Sequence, residues 1–318
     1  MRKVDISIII PSFNESENIL ELYNRIIKTL NKINICDYEI IYIDDGSTDN
    51  SLEILRKLNK EDNKVKTIIF TRNFGLQNAL FAGLKYSTKE FACILDGDLQ
   101  DPPELIENFF SKINEGYEIV YGIRKKREAG ILKKISYKIF YNLFATLSEV
   151  KMPKDVGEFC LFKRNVIDTL LSFNESHIFI RGLRSWTGFK QTGIEYFRPN
   201  RNAGTIKFNF IKLFLLGLDG IISFSLIPLR IILILSSLLF FCAMIYILFI
   251  LIFKILALLN IISNDAVLLM PKELTLTNIT LGVFLIFICL SLGLIGEYIG
   301  KIYIEVKKRP KYIIKEII

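Results

Sequence analysis

The chain is poor in the residues on which many metalloenzymes and secreted domains depend. It has a single histidine, His177, which excludes a histidine-rich metal centre and argues against a Ser-His-Asp triad; a structural role is expected for it. Its five cysteines, Cys36, Cys93, Cys160, Cys242 and Cys289, are odd in number and never spaced as CxxC. Neither a disulfide framework nor a zinc site is therefore expected. No secretory leader precedes the first apolar run at Asp5, so the N-terminal part is expected to stay on the side where it is made. No nucleic-acid motif accompanies the net charge of +8. Because the basic residues gather near apolar segments, an anionic membrane surface is the expected partner and nucleic acid is not.

What the chain has is an uneven distribution of apolar residues. Across 318 residues 51% are hydrophobic, yet the first two hundred read as an ordinary soluble α/β protein and the last third holds two long apolar runs. Asp5 to Ile10, Tyr38 to Ile43, Val65 to Phe70 and Phe91 to Leu95 read as strands. They alternate with helices ending near Leu30, over Ser51 to Leu58 and over about Leu76 to Tyr86. Asn14 with Glu17 resembles a capping box for the first helix. Such alternation predicts a mainly parallel sheet with right-handed crossovers.

Two of these strands end in paired acids, Asp44-Asp45 and Asp96-Gly97-Asp98, the latter followed by Asp101 and two prolines that stop the strand. The C-terminal edge of an open α/β sheet is where ligands bind, and alternate carboxylates there suit a hard divalent cation that keeps substrate phosphates in its shell. Gly97 is expected to clear space for a bulky ligand. Four crowded carboxylates are costly unless a cation or hydrogen-bond donors offset them, and a nucleotide with its metal supplies both. Helix-capping turns remain the alternative at each pair.

A further strand, Glu118 to Tyr121, leads to Arg124-Lys125-Lys126-Arg127 and then to Lys133, Lys134 and Lys138 interleaved with aromatics. This pattern suits a membrane surface or capture of a phosphate, with a solvated charge run as the alternative. Lys154 to Phe162 reads as a site loop and strand, and Arg201 to Lys207 as a basic, glycine-containing segment. Ile231 to Phe253 and Leu274 to Gly296 are each long enough to cross about 30 Å of hydrocarbon. The basic residues after the second run, from Lys301 to Lys315, place the tail and the soluble domain in the cytoplasm by the positive-inside rule.

In order, PSFNE (Pro11 to Glu15), DDGSTD (Asp44 to Asp49), RNFGLQNALFAGL (Arg72 to Leu84), LDGDLQDPPE (Leu95 to Glu104), RGLRSWTGF (Arg181 to Phe189) and RNAGTIK (Arg201 to Lys207), followed by two apolar spans, resemble the family 2 glycosyltransferases of the polyprenyl-phosphate sugar transferase group. That group includes dolichol-phosphate mannose synthases and bacterial bactoprenol glucosyltransferases. The resemblance covers almost the whole chain and implies a GT-A catalytic domain over residues 1–207. A juxtamembrane segment (208–226), transmembrane helices (227–254 and 274–296) and a basic cytoplasmic tail (297–318) would follow, in a multi-pass protein of the bacterial inner membrane.

The resemblance also implies roles. Pro11, Glu15, Asp44 and Asp45 would lie at the nucleoside, Asp96 beside ribose and metal, and Asp98 with Gln100 would ligate Mg²⁺ or Mn²⁺. Arg124 would contact the diphosphate or the acceptor phosphate, and Lys133, Lys134, Ser136, Arg201 and Lys207 the acceptor phosphate. Relatives usually carry Gly-Asp-Phe-Arg where this chain has Gly157-Glu158-Phe159-Cys160, so the carboxylate, a candidate catalytic group, is kept and the arginine is lost. The implied reaction moves a sugar with inversion from a nucleotide sugar, UDP-glucose or a related UDP-sugar, to polyprenyl (undecaprenyl) phosphate for cell-envelope glycan modification. GDP-mannose or a UDP-aminopentose are alternative donors, and homo-oligomerisation is left open. A catalytically inactive, membrane-anchored nucleotide-binding module is disfavoured by the intact Asp96, Asp98 and Gln100. A processive synthase is disfavoured by the lack of Q-x-x-R-W, and a nucleotidyltransferase by PSFNE in place of a glycine- and arginine-rich loop.

Overall fold

The computed structural model describes residues 4–33, 35–125, 153, 156–176, 178–197, 227–259 and 273–318. The chain divides into two units, Met1–Leu213 with Lys308–Ile318, and Phe214–Lys307. The first unit is built on an eight-stranded sheet. Its strands are β1 (Asp5–Ser12), β2 (Asp37–Asp44), β3 (Val65–Phe70), β4 (Phe91–Ile94), β5 (Ile119–Lys125), β6 (Val156–Lys163), β7 (Gln191–Phe197) and β8 (Ile314–Ile317). The order is β7-β5-β6-β4-β1-β2-β3-β8. β2, β1 and β4 pair in parallel, as do β2 with β3 and β5 with β7, while β6 and β8 run against their neighbours. The expected mainly parallel sheet is present.

Burial explains why these residues became strands. Ile6, Ile8, Ile9 and Ile10 of β1 are all fully buried, as a strand covered on both faces requires. The helices α1 (Ile19–Ile33), α2 (Ser51–Glu61), α3 (Leu76–Tyr86), α4 (Ile106–Asn114), α5 (Arg164–Ser172) and α6 (Ile180–Trp186) cover the sheet. α1 does so with one stripe, Ile19, Leu22, Ile26 and Leu30, at the three- and four-residue spacing of a half-buried helix. α3 lies against β1 and β2, which brings its N-terminus to the rim where those strands end.

Buried Glu39 on β2 is a structural acid. It accepts hydrogen bonds from Ser7 Oγ (2.7 Å), Thr88 N (2.6 Å) and Lys66 Nζ (2.8 Å). Burial opposes its ionisation, but these donors outweigh it and hold the pKa below the ordinary value.

The sequence expectation of a capping box at Asn14 does not hold. Asn14 takes a left-handed backbone (φ 56°), and α1 starts later, at Ile19. Its side chain instead accepts a hydrogen bond from Thr48 N at 2.8 Å, tying the loop after β1 to the loop after β2.

The second unit contains α7 (Ile227–Leu258) and α8 (Glu273–Lys307), of 32 and 35 residues. Both are long and apolar enough to cross a membrane. Residues 297–307, read from the sequence as the start of a tail, continue α8, and Ile314–Ile317 form a strand of the first unit's sheet rather than a free basic end.

Candidate active site

Because β1 lies between β2 and β4, the chain ends of all three converge on one rim. Asp44 and Asp45 close β2, and Asp45 N donates to Ser12 O at 2.9 Å. Phe74 N and Gly75 N, at the start of α3, donate to the two Asp45 oxygens at 2.6 and 2.9 Å. Ser47 N reaches Asp44 at 3.4 Å. Both acids are nearly inaccessible, and neither forms an ion pair among the described residues. Burial pushes both carboxyls above the ordinary aspartate value, only partly offset by these backbone donors. Glu39, on the same strand as Asp44, shows the opposite balance, with its donors outweighing burial.

This predicts a trade. Asp44 has a folded pKa above its unfolded one, so its ionisation costs stability once pH rises through the folded value, and the cost is absent at lower pH. Asp44→Asn should raise the apparent Tm at neutral pH while weakening nucleotide binding, read by thermal melting and by UDP titration. A lower Tm with unchanged affinity would make Asp44 structural.

The loop after PSFNE is braced by the DDGSTD segment. Asn14 N donates to Ser47 Oγ (3.0 Å), Glu15 N to Ser51 Oγ (3.1 Å) and Ser16 N to Asp49 Oδ2 (3.2 Å), and Glu15 Oε2 accepts from Asn18 Nδ2 at 2.6 Å. Pro11 lies in the last residues of β1, and a Cβ on Gly97 would meet its carbonyl oxygen at 3.0 Å. Gly97 thus permits close packing of the turn after β4 against the end of β1.

After β4, Leu95 N still donates to Ile9 O at 3.0 Å before the backbone turns through Asp96, Gly97 and Asp98. Asp98 Oδ1 accepts from Gln100 N at 3.1 Å, and Leu99 between them adopts φ 61° with its side chain in the core. A leucine held in that conformation is strained, and such strain collects at functional loops. Asp98 is itself largely buried.

Arg124 at the end of β5 reaches across β6 to this loop. Its Nη2 lies 3.3 Å from Asp96 Oδ2 and 3.9 Å from Asp101 Oδ1, and its Nε donates to Tyr196 OH at 3.3 Å. Tyr196 OH donates in turn to Asp101, which is fully buried. Burial works against the Arg124 charge, but Asp101, Tyr196 and Asp96 outweigh it and raise its pKa. The crossing exists because residue 157 is glycine: a Cβ there would sit 2.6 Å from Arg124 Cζ and collide with Nη2.

Next along β6, Glu158 is buried and accepts a hydrogen bond from Gln77 Nε2 at 2.9 Å. Arg181 Nε lies 2.8 Å from the same oxygen as an ion pair, with its N–H not aligned for a hydrogen bond. Arg181 also donates to Val156 O, and Gln77 Oε1 accepts from Ile180 N, so α3, β6 and α6 are locked around this acid. Cys160 faces Arg184, and burial pushes its thiol up to about 11. Arg184 is buried over the Tyr121 ring at 4.4 Å. A guanidinium therefore stands beside position 160, supplied from α6.

The structure thus gathers Pro11, Glu15, Asp44, Asp45, Asp96, Asp98, Gln100, Arg124 and Glu158 around the end of one sheet. Lys133, Lys134, Ser136, Arg201 and Lys207 lie outside the described residues. The sequence reading groups Asp101 with Asp96 and Asp98 at the strand edge and gives Tyr196, Gly157, Gln77 and Arg181 no site role. Gln77 and Arg181 stand inside segments that carried the resemblance, whereas nothing local marks Tyr196. Among the described residues no three His, Cys, Asp or Glu side chains converge to hold a metal ion. The oxygen donors of Asp96, Asp98 and Gln100 nevertheless fit Mg²⁺ or Mn²⁺, hard cations whose shells are commonly completed by water and substrate phosphate.

A mostly parallel sheet with acids and an arginine gathered at its carboxyl rim is the arrangement that the resemblance to GT-A glycosyltransferases implies. Residues 7–171 match the family model Glycosyl transferase family 2. The chain is 38% identical over 316 residues to the uncharacterized glycosyltransferase YkcC of Bacillus subtilis (strain 168), covering 99% of this chain and 94% of that protein. It is 38% identical over 313 residues to the prophage bactoprenol glucosyl transferase homolog of Escherichia coli (strain K12), covering 98% and 99%. Against the SfII prophage-derived bactoprenol glucosyl transferase of Shigella flexneri it is 36% identical over 312 residues, covering 98% and 97%. The chain belongs to glycosyl transferase family 2.

Proposed function

We propose that this chain transfers glucose from UDP-glucose to a polyprenyl phosphate at the cytoplasmic face of a bacterial membrane, inverting the anomeric centre. The observation that carries the reading is the end-to-end likeness to proteins named bactoprenol glucosyl transferase, which extends through both apolar helices. An enzyme with a soluble acceptor has no need of that part of the chain. The fold adds support for two crossings. The chain leaves the first unit before α7 and rejoins it at Lys308, as it would if the two helices crossed and returned.

In this mechanism Asp44, Asp45 and Glu15 accept hydrogen bonds from the nucleoside, and the pyrophosphate lies toward Asp96, Asp98 and Gln100, which would hold the cation. When bound, that cation neutralises charge on the departing diphosphate. Arg124, fixed by Asp101 and Tyr196, adds a positive group aimed at the same oxygens without reorganisation. Polyprenyl phosphate is already anionic at neutral pH, so its oxygen needs orientation rather than a base. Glu158, held by Gln77 and Arg181, then serves the sugar hydroxyls. In-line attack on an α-linked donor yields a β-linked sugar phosphate.

The acceptor's phosphate is assigned to the basic stretch around Lys133, Lys134 and Ser136, with Arg201 and Lys207. Each basic group near an anionic surface contributes about 1 kcal/mol, so one change can be masked where two are not. Lys133→Ala with Lys134→Ala should raise the KM for polyprenyl phosphate about tenfold and leave that for the nucleotide sugar near wild type. The opposite split would move these lysines to the donor site.

The reading as a whole is tested by UDP release from UDP-glucose by purified full-length protein, with and without polyprenyl phosphate. Release that depends on the lipid supports it. Release equal in both, or driven by a soluble acceptor, contradicts it.

A further inference from the structure

The strand that ends the chain reaches the donor rim through a line of aromatic rings. β8 runs antiparallel to β3, with Ile69 opposite Glu316 and Ile68 opposite Ile317. Thr67 N donates to Ile318 O at 2.7 Å, Thr71 N donates to Ile313 O at 3.0 Å, and both terminal nitrogens of Arg56 close on the Glu316 carboxylate. These contacts protect the edge of β3, and edge protection is reason enough for Ile314–Ile317.

It is not reason enough for Tyr312, which lies outside the strand. Its ring stacks on Phe70, with centroids 5.0 Å apart and planes 11° from parallel. Phe70 is 2% exposed and meets Phe74 edge-on at 5.7 Å. The backbone N–H groups of Phe74 and Gly75 are those that hold the two oxygens of Asp45. On the far side of this turn the Arg72 guanidinium lies 4.2 Å from the Phe74 ring centre. Lys311, next to Tyr312, is fixed over the Phe81 ring of α3 at 4.0 Å and donates to Phe173 O at 3.1 Å. The segment between the end of α8 and β8 is thereby clamped to the elements that frame Asp45.

We propose that Tyr312 is a positioning residue of the donor site. Through Phe70 and Phe74 its ring holds the 74–75 backbone against Asp45, so that the segment following the second apolar helix forms part of the support for nucleotide binding. The proposal rests on the reading that Asp45 binds the nucleoside.

The test uses the full-length protein and UDP titration, with donor KM, lipid KM and kcat measured alongside. Removing one aromatic pair should weaken UDP binding roughly three- to tenfold in Tyr312→Ala, with kcat at saturating donor and lipid KM close to wild type. Tyr312→Phe, which keeps the stack, should restore wild-type affinity. Glu316→Ala, which loosens β8 without touching the rings, should lower thermal stability and leave UDP affinity unchanged. If Tyr312→Ala does not fold, Tyr312→Leu is read in the same way, since it keeps apolar volume without a stacked ring. Wild-type affinity in the Tyr312 variants, or an equal loss in Glu316→Ala, overturns the proposal. Asp45→Asn separates the two levels. If it loses UDP while Tyr312→Ala does not, only the positioning role fails; if it binds UDP normally, the nucleoside assignment fails and takes the proposal with it.

Discussion

Asp98→Ala should lower turnover by about a thousandfold, because the leaving diphosphate loses several kcal/mol of charge stabilisation. The side chain stands at the rim where β4 ends, is largely buried, and uses one oxygen to accept the Gln100 N–H. Asp98→Asn is the sharper variant. Its amide oxygen can keep that turn while the negative charge is gone, so a well-folded but inactive protein is expected. Isotope-labelled transfer assays measure the loss, and melting curves show that the fold survives. Activity within a few fold of wild type for either variant, or full activity in EDTA, would remove Asp98 from the chemistry.

Gly157→Ala should be almost as damaging although it removes nothing. The added Cβ would lie within contact of Arg124 Cζ, Nε and Nη2, so the guanidinium must leave its place beside Asp96. A displacement of about 1 Å in a positioned group can cost on the order of a hundredfold in rate. Arg124→Ala should cost more in stability, since it leaves the fully buried Asp101 with Tyr196 but without its cation. The guanidinium is partly exposed and 3.9 Å from Asp101, so the loss is that of a partly screened pair beside a buried acid that keeps its Tyr196 donor. The two variants distinguish geometry from charge: Gly157→Ala should keep most of the Tm and lose kcat, whereas Arg124→Ala should lose both. Normal kcat in Gly157→Ala would mean that Arg124 supports the loop and nothing more.

The parts of this molecule legible in the sequence are those fixed by local pattern. Val65–Phe70 and Leu76–Tyr86 have the bounds their periodicity indicates, and the acids at the ends of β2 and β4 come to one rim because parallel strands leave no other place for them. What was not legible depends on partners far along the chain. Glu39 and Asp44 are both buried acids on β2, and only the donors around them show that ionisation is favoured at one and opposed at the other. Asn14 looked like a helix cap because the residue types were right, yet Thr48 competes for the same side chain. Tyr196 and Gly157 matter only because Arg124 crosses β6 between them. The C-terminal residues looked like a basic tail because five lysines and an arginine follow the second apolar run. Their strand is completed by β3, more than two hundred residues earlier, a pairing that no local window contains.

The central claim is the identity of the product, and mass analysis of the organic phase measures it most directly. Purified full-length protein, polyprenyl phosphate, Mg²⁺ or Mn²⁺ and a panel of nucleotide sugars should yield, with UDP-glucose, a lipid heavier than the starting polyprenyl phosphate by one hexose residue. Asp98→Ala should yield none. Free sugar with unchanged lipid, or sugar joined to lipid through a diphosphate, would contradict the account.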